Sequence, residues 1–229
     1  MDVSVVIPVF NEESTLQTIF TLIKKTRIPS EIIIIDDGST DSTPQIIKKL
    51  LEDPSVRAIT FPVNRGKGAA VSAGIKAAHG EIIILQDADL EYNPGEYEKL
   101  LRPFEENQAQ VVYGTRFMTN KKMTSYFLHF VANKILTMIT NILYKSSLND
   151  METGCKIFRK DIFEQLQIKA DGFDFEPEFT AKLLKRKIKI YEVPITFKPR
   201  NYAQGKKIKF HDAIEAIWTL IKVRFLESE

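Results

Sequence analysis

Short apolar runs alternate with amphipathic stretches along the first hundred or so residues of the chain. Four runs are rich in Val and Ile, and most hold three or four consecutive apolar residues: VSVVIPVF, EIIIIDD, VRAITFP and EIIILQD. Such runs are typical of parallel strands buried on both faces of a sheet. Between them, apolar residues recur every three or four positions, which predicts amphipathic helices in ESTLQTIFTLIKK, STPQIIKKLL and KGAAVSAGIKAA. The alternation predicts an α/β fold with right-handed crossovers and an open parallel sheet.

The pattern changes after residue 116. A helix in PGEYEKLLRPFEE and a fifth strand in QVVYGT come just before this point, and a long helical pattern then runs from Ser125 to Lys145. The remaining segments are GCKIFR, KDIFEQL, a helix around PEFTAKLLKRK, a strand in KIYEVPITF, a basic loop, and a helix from about His211. No internal repeat or linker interrupts the chain. We therefore predict one α/β domain over residues 1–229 with a C-terminal helical elaboration.

Composition narrows the class of protein. Hydrophobic residues make up 44% of the chain and charged residues 27%, as in ordinary globular proteins. A formal net charge of +2 gives no reason to expect nucleic-acid binding. The single cysteine, Cys155, excludes an internal disulfide and a multi-cysteine metal site. The first residues do not resemble a signal peptide, and no long window is apolar throughout, so we expect a cytoplasmic protein that is soluble or peripheral on a membrane.

Polar loops follow the predicted strands, where open parallel sheets bind their ligands. Acidic residues follow strands one, two and four, and a Gly/Lys turn follows strand three at the start of a helix. The segments are Pro8-Val9-Phe10-Asn11-Glu12, Asp36-Asp37-Gly38-Ser39, Asp87-Ala88-Asp89 and Asn64-Arg65-Gly66-Lys67-Gly68. Acidic loops and helix N-termini at one edge of a sheet suit a metal ion and a phosphorylated ligand.

Three carboxylates alternate in the segment ILQDADLEYNP. Alternate residues of an extended segment face the same way, so Asp87 and Asp89 can present their carboxylates to one side, with Glu91 as a third candidate ligand. Like charges this close repel unless a cation or a proton relieves them. Hard oxygen ligands favour Mg²⁺ or Mn²⁺, with substrate phosphates completing the coordination. The alternative is that both aspartates are loop acids, one of which caps the helix near Pro94.

The motifs, taken in order, resemble those of a known enzyme family. VVIPVFNEE, IIIIDDGSTDST and the DAD after EIIIL are similar to motifs of inverting family 2 glycosyltransferases, which use nucleotide sugars and have the GT-A fold. YGTRF, NDMETGCKIFRKDIF and GFDFEPEFTAKLLKRKIKIYEVPITFKPRNYAQGKKI resemble the polyprenyl-phosphate subgroup, typified by dolichyl-phosphate mannosyltransferase. The resemblance covers essentially the whole chain. It implies a doubly wound, mostly parallel sheet flanked by helices, with a nucleotide-sugar-binding half (1–116) and an acceptor-binding half (117–229).

The resemblance also implies roles for individual residues. It places Asp87 and Asp89 on a divalent ion that bridges the donor diphosphate, and Arg116 at the acceptor phosphate. The residues that it implies around the nucleotide sugar are Pro8, Phe10, Glu12 and Asp37 at the nucleoside, Ala88 at the ribose, and Arg200 with Lys206 or Lys207 over the diphosphate. Lys67, in the Gly/Lys turn, is a further candidate for donor binding.

The chemistry of glycosyl transfer agrees with these roles. Negative charge builds on the leaving diphosphate, and a divalent ion and fixed cations stabilise it. An acceptor phosphate is already ionised near neutral pH and needs a cation, and Arg116 suits that bidentate contact. A hydroxyl acceptor would instead need a carboxylate base, for which Asp150 and Glu152 are candidates. The alternatives are that these two acids orient the donor sugar or are ordinary loop acids, that Arg116 forms a surface ion pair, and that Asp36 and Asp37 only form a turn.

The sequence therefore predicts transfer of a hexose from a UDP- or GDP-sugar to a polyprenyl phosphate, with inversion. A second enzymatic hypothesis is transfer to a hydroxyl of a glycan or glycolipid. A hypothesis of another class is a non-catalytic module that binds sugar nucleotides. The intact DAD and the basic loop argue against the module, because binding alone does not require this metal site.

The long helical segment, residues 125–145, carries a further prediction. On a helical projection its polar residues share one arc and its apolar residues take the remainder; the polar set is His129, Asn133, Lys134, Thr137, Thr140, Asn141 and Lys145. Either the apolar face packs on the sheet, or the helix lies among the headgroups of an anionic membrane, where a polyprenyl acceptor is confined. Nearby lysines would add attraction to anionic lipid: Lys121, Lys122, Lys206, Lys207 and Lys209.

Overall fold

The described residues contribute seven strands to one central sheet. These residues of the computed structural model are 1–106, 108–117, 127–200 and 210–227, with the backbone alone for 127–129 and 210. The strands are β1 (Val3–Val9), β2 (Glu31–Asp36), β3 (Val56–Thr60), β4 (Ile82–Leu85), β5 (Val111–Thr115), β6 (Lys156–Arg159) and β7 (Ile190–Pro194). Their order across the sheet is β3-β2-β1-β4-β6-β5-β7. The predicted α/β class and mostly parallel sheet are confirmed.

Helices follow most of the strands and cover both faces of the sheet. They are α1 (Leu16–Thr26), α2 (Thr43–Leu50), α3 (Lys67–Ala77), α4 (Tyr97–Glu105), α5 (Phe127–Tyr144), α6 (Lys160–Leu166), α7 (Phe175–Lys185) and α8 (Phe210–Phe225). The predicted alternation of strand and helix is confirmed, as are the long helix and the C-terminal helix. Residues 125 and 126 of the predicted long helix lie outside the described residues.

The central strands are apolar at successive positions because both faces of the sheet are covered. Val5 and Ile7 of β1 enter the core on one face, together with Leu16 and Ile19 of α1. Val6 points the other way and packs in the core beneath α3, α6 and α7. Successive side chains of a strand alternate between faces, so a strand buried on both sides needs a continuous apolar run.

Strand β6 runs against its neighbours. It pairs antiparallel with both β4 and β5, whereas β1–β2, β2–β3, β1–β4 and β5–β7 are parallel pairs. A reversed strand starts at the edge where the parallel strands end. The loop that leads into β6, residues 146–155, therefore lies beside the ends of β4 and β5.

Helix α5 buries polar residues and exposes apolar ones. Thr137 and Thr140 are 3% and 0% exposed, whereas Ile135, Met138 and Ile142 are 46%, 55% and 69% exposed. The Thr137 hydroxyl accepts a hydrogen bond from the Met151 backbone N–H, and Asn141 contacts the backbone of Leu148 through both ends of its amide. The middle of the polar arc faces inward because it holds the 146–155 loop. The alternative in which the apolar face packs on the sheet does not hold for Ile135, Met138 and Ile142.

Other apolar residues of α5 do pack inward, on α7 and α8. Leu136 shares a small core with Ala181 of α7 and with Leu220 and Val223 of α8. Helix α8 also leaves large apolar side chains exposed, namely Ile214, Trp218 and Phe225. None of the helices in the described part of the chain is both long and apolar enough to cross a bilayer.

Candidate active site

Asp37 fixes the Gly/Lys turn that opens α3. Its carboxylate oxygens accept the backbone N–H groups of Arg65, at 2.7 Å, and Gly66, at 2.9 Å. Gly66 has φ of 100°, and a Cβ there would lie 2.3 Å from the Asp171 carbonyl oxygen. Burial raises the pKa of Asp37, and the two N–H groups oppose that shift. Asp36 accepts a hydrogen bond from the Ser39 backbone N–H and so stabilises the turn directly after β2, whereas Asp37 holds the Gly/Lys turn.

The ammonium group of Lys67 joins the acidic loop after β4 to α7. Its Nζ lies 2.9 Å from Asp87 Oδ1 and 2.9 Å from Glu176 Oε1. Burial alone would lower the pKa of Lys67. The attraction of the two carboxylates outweighs this effect and raises the pKa to well above its ordinary value. Lys67 therefore keeps a permanent positive charge beside Asp87. Glu176 is a site residue that sequence reasoning missed.

Arg200 brings a second cation to the acidic loop. Its Nη2 lies 2.9 Å from Asp89 Oδ2, and its Nη1 lies 3.0 and 3.1 Å from the two carboxylate oxygens of Glu12. Burial raises the pKa of Asp89 to about 7, with repulsion from Asp87 and Glu91 adding to the shift and Arg200 opposing it. The repulsion expected from alternate carboxylates is therefore present at Asp89. Lys206 and Lys207 lie outside the described residues.

The two aspartates fit a divalent cation, but the predicted third ligand does not join them. Within the described ranges, no three His, Cys, Asp or Glu residues are grouped as they would be around a metal ion. Glu91 instead accepts the Arg200 backbone N–H at 2.7 Å. Asp87 and Asp89 offer hard oxygens and a surplus of negative charge, which suits an ion that takes its other ligands from a diphosphate. Neither aspartate caps the turn at Pro94, because Asn93 Oδ1 accepts the Gly95 N–H.

Arg116 is held by a buried carboxylate at the end of β5. Its Nε and Nη2 each donate to one oxygen of Asp150 at 2.7 Å, and its backbone N–H donates to Asp150 Oδ2 at 3.0 Å. Its guanidinium carbon lies 5.2 Å from the Phe117 ring centre and 5.1 Å from that of Phe197. Although burial lowers the pKa of Arg116, Asp150 raises it above its ordinary value. The alternative of a surface ion pair is wrong, because the Asp150 side chain is fully buried and the Arg116 side chain is only 12% exposed.

Asp150 cannot serve as a general base for a hydroxyl acceptor. Its side chain is 0% exposed, and both oxygens are engaged by Arg116. A base must reach the proton that it removes. The catalytic role expected of Asp150 is therefore corrected to a positioning role, in which it fixes the orientation of the Arg116 guanidinium.

Comparison with known proteins identifies the family. Residues 4–167 match the family model described as Glycosyl transferase family 2. The chain belongs to glycosyl transferase family 2. The family expected from the motifs is thus confirmed.

Archaeal proteins are among the relatives of this family 2 chain. It is 29% identical over 212 residues to a dolichol-phosphate mannosyltransferase of Pyrococcus furiosus, covering 90% of this chain and 59% of that protein. It is 28% identical to the low-salt glycan biosynthesis hexosyltransferase Agl6 of Haloferax volcanii, covering 86% of this chain and 48% of that protein. An uncharacterized protein of Methanocaldococcus jannaschii is 27% identical over 226 residues, which cover 96% of this chain and 91% of that protein. The chain thus spans only about half the length of the two relatives with named activities.

Solved structures show the same fold. Glucosyl-3-phosphoglycerate synthase from Mycobacterium tuberculosis, in complex with Mn²⁺, uridine diphosphate and phosphoglyceric acid, superposes with a TM-score of 0.75. The match covers 100% of this chain and 80% of that one at 20% identity. A complex of the same synthase with Mg²⁺ and uridine diphosphate gives a TM-score of 0.74 at the same identity, with 81% of that chain covered. The comparison supports the GT-A fold of this family 2 glycosyltransferase.

The other residues expected at the nucleoside lie along the same sheet edge. Pro8 and Phe10, at and just beyond the end of β1, are partly exposed, and Glu12 is 6% exposed behind Arg200. Ala88 is 3% exposed and packs in the hydrophobic core, so only its backbone can face a ribose. These placements agree with a nucleoside pocket, and the contacts themselves stay a prediction.

The first residue of β6 is a charged residue whose placement the sequence did not predict. Lys156 is fully buried, and its Nζ donates to the carbonyls of Met151 and Thr153. Burial lowers the pKa of Lys156 to about 8, against the attraction of Glu176 and Glu152. Lys156 thus supports the loop backbone from inside. No local signal distinguishes it from an exposed strand lysine.

Proposed function

We propose that this glycosyltransferase moves a hexose from a UDP- or GDP-sugar to a polyprenyl phosphate, with inversion at the anomeric carbon. The observation that carries the proposal is the Arg116–Asp150 pair, in which a fully buried carboxylate holds a permanent cation at the end of β5, where we place the acceptor. The dolichol-phosphate mannosyltransferase among the relatives supports a lipid phosphate as the acceptor.

The donor diphosphate is proposed to bind beside Asp87 and Asp89. These aspartates would hold Mg²⁺ or Mn²⁺, and the ion, when bound, neutralises charge on the leaving diphosphate. Lys67 and Arg200 lie 2.9 Å from Asp87 and Asp89 respectively, so two fixed cations flank the same place. Positive groups fixed before the reaction stabilise developing negative charge without reorganisation. The Mn²⁺ and Mg²⁺ complexes of the related fold support this arrangement.

The acceptor side favours a phosphate over a hydroxyl. A guanidinium has five N–H donors, and Asp150 engages two of them, one on Nε and one on Nη2. The remaining donors suit the oxygens of a phosphate. Asp150 is not accessible as a base, and the cation at the end of β5 is the group that an already ionised acceptor needs, so we favour a phosphate acceptor and keep Glu152 as the remaining candidate base for a hydroxyl acceptor.

Transfer assays test this function directly. With Mn²⁺ or Mg²⁺ present, we expect label from UDP- or GDP-hexose to enter polyprenyl phosphate, and the product to have the anomeric configuration opposite to that of the donor. Soluble sugars and a polyprenol that lacks the phosphate serve as hydroxyl controls. Transfer to hydroxyl acceptors alone would favour the second enzymatic hypothesis. Tight binding of sugar nucleotide without any transfer would favour the non-catalytic module.

A membrane surface is the proposed place of work, because a polyprenyl chain is confined to the bilayer. Helices α5 and α8 pack on each other, and both leave large apolar side chains exposed, among them Met138 on α5 and Trp218 on α8. Apolar side chains of this size suit insertion at the boundary of headgroups and acyl chains. The lysines expected to add electrostatic attraction, Lys121, Lys122, Lys206, Lys207 and Lys209, lie outside the described residues.

Flotation tests the membrane proposal. We expect the protein to float with anionic liposomes, less so at high salt, and the double variant Ile135→Glu/Ile142→Glu to stay at the bottom. Both positions are exposed, at 46% and 69%, so the substitutions should leave the fold intact. Leu51→Glu is the matched control, because Leu51 is also 46% exposed but lies at the end of α2. Equal flotation of wild type and double variant would remove α5 from the membrane contact.

A further inference from the structure

Glu152 carries a buried oxygen that no described residue satisfies. Its Oε1 is shielded from solvent and accepts no hydrogen bond from the described part of the chain. Lys156 is close enough to attract it electrostatically, but the Lys156 ammonium donates to the carbonyls of Met151 and Thr153 instead. A buried oxygen left without a donor costs on the order of 1–3 kcal/mol. Such a cost is tolerated where a ligand later supplies the donor.

The position of Glu152 in the loop says which ligand that is. Two residues before it, Asp150 holds Arg116 at the proposed acceptor phosphate. Two residues after it, Gly154 lies against the donor-side acid, since a Cβ on Gly154 would lie 2.4 Å from Asp87 Oδ2. Glu152 thus lies in the short stretch of the loop that joins the residue at the proposed acceptor phosphate to the residue against the donor-side acid. In a glycosyl transfer, the group between the donor diphosphate and the acceptor phosphate is the transferred sugar.

We propose that Glu152 binds hydroxyl groups of the hexose in the donor and so contributes to the choice of sugar. This inference rests on the proposed function, because it takes the sugar to lie between Asp87 and Arg116. A carboxylate accepts hydrogen bonds from hydroxyl groups, and a hexose presents several. The residue as a whole is partly exposed, so its side chain is not sealed in the core.

The electrostatic setting supports this role. Burial raises the pKa of the Glu152 carboxyl to about 7, with Glu176 adding to the shift and Lys156 and Arg116 opposing it. Near neutral pH the group can therefore accept from one hydroxyl or donate to another. A site built to hydrogen-bond a substrate hydroxyl strongly rejects analogues that lack it.

The experiment compares the affinity for the nucleoside diphosphate with that for the sugar nucleotide. Calorimetry with Mn²⁺ gives dissociation constants of the full chain for UDP, GDP, UDP-glucose, UDP-galactose, UDP-N-acetylglucosamine and GDP-mannose. For Glu152→Ala we expect an unchanged affinity for the nucleoside diphosphate and a loss of about 10- to 100-fold for the preferred sugar nucleotide. Glu152→Gln keeps one acceptor oxygen and should lose less. Glu164→Gln, an exposed glutamate on α6, is the control and should lose nothing.

The outcomes separate this inference from the function on which it rests. Loss confined to the sugar nucleotide, with a weaker preference among the sugars, supports Glu152 as a sugar contact. Equal losses for nucleoside diphosphate and sugar nucleotide show a structural role and overturn it, as does an unchanged profile in a folded Glu152→Ala variant. If the wild-type chain binds UDP or GDP as tightly as it binds every sugar nucleotide, the sugar makes no contact that adds affinity. That result overturns the inference about Glu152 but not the proposed function. A chain that binds no nucleotide overturns the proposed function as well.

Discussion

Replacing Asp89 by Asn should lower glycosyl transfer by about 100- to 1000-fold while the fold survives. The substitution keeps the shape of the side chain but removes one of the two carboxylate charges that face the proposed cation. A divalent ion contributes several kcal/mol of charge stabilisation, and each 1.36 kcal/mol is a factor of ten in rate. Initial rates with a labelled sugar nucleotide, together with Mn²⁺ binding measured by electron paramagnetic resonance, check both the activity and its cause.

The fold of Asp89→Asn should change little, because two effects of opposite sign meet at this residue. The variant loses the ion pair with Arg200, but it also relieves the repulsion from Asp87 and Glu91. Asp161→Asn is the matched control, since Asp161 is an exposed aspartate paired with Arg159 and remote from the acidic loop. Excess EDTA should bring the wild type down to the rate of Asp89→Asn. Normal transfer by folded Asp89→Asn, or by wild type in EDTA, would show that the metal assignment is wrong.

The fold was predictable where its signals are local. The apolar runs of β1, β2 and β4 identify strands buried on both faces, because four consecutive isoleucines at 32–35 cannot belong to a strand with one wet face. The place of β6 was not predictable in this way. Its insertion between β4 and β5, in the opposite direction, depends on pairing across more than seventy residues of sequence from Ile84 to Ile157.

The same limit applies to the site. Asp87, Asp89 and Lys67 were predictable because the ends of parallel strands share one edge of a sheet. Their ion pairs with Glu176 and Arg200 were not predictable, since these two residues come from segments distant in sequence, although the resemblance had placed Arg200 at the diphosphate. Ion pairing depends on which distant residues the fold brings together. The sequence therefore indicated the chemistry of the edge but not how its charges are balanced.

Helix α5 shows a different kind of limit. A helical projection correctly separates a polar from an apolar arc, but it does not say which arc faces water. Thr137 and Asn141 face inward because the loop before β6 has backbone groups that need partners. Turning these polar residues inward leaves Ile135 and Ile142 outside. The exposure of these apolar side chains therefore follows from the needs of the active-site loop.

Replacing Arg116 by Lys should weaken acceptor use far more than donor binding. Lysine keeps the charge but cannot make the bidentate pair with Asp150, so the cation is no longer held in one orientation. Loss of a hydrogen bond to a charged group costs about 1.5–3 kcal/mol, which corresponds to roughly a 10- to 100-fold rise in KM for polyprenyl phosphate. Donor affinity, measured separately by calorimetry, should stay near that of the wild type.

The variant should also be less stable, because Asp150 is fully buried and would lose its matched partner. Assays must therefore run well below its melting temperature. Arg57→Lys is the control, since Arg57 lies on an exposed part of β3 and pairs with Glu31 of β2. Equal losses of donor and acceptor affinity would take Arg116 out of the acceptor site. Lower stability with unchanged kinetics would make the Arg116–Asp150 pair structural only, and the preference for a phosphate acceptor would lose the observation that carries it.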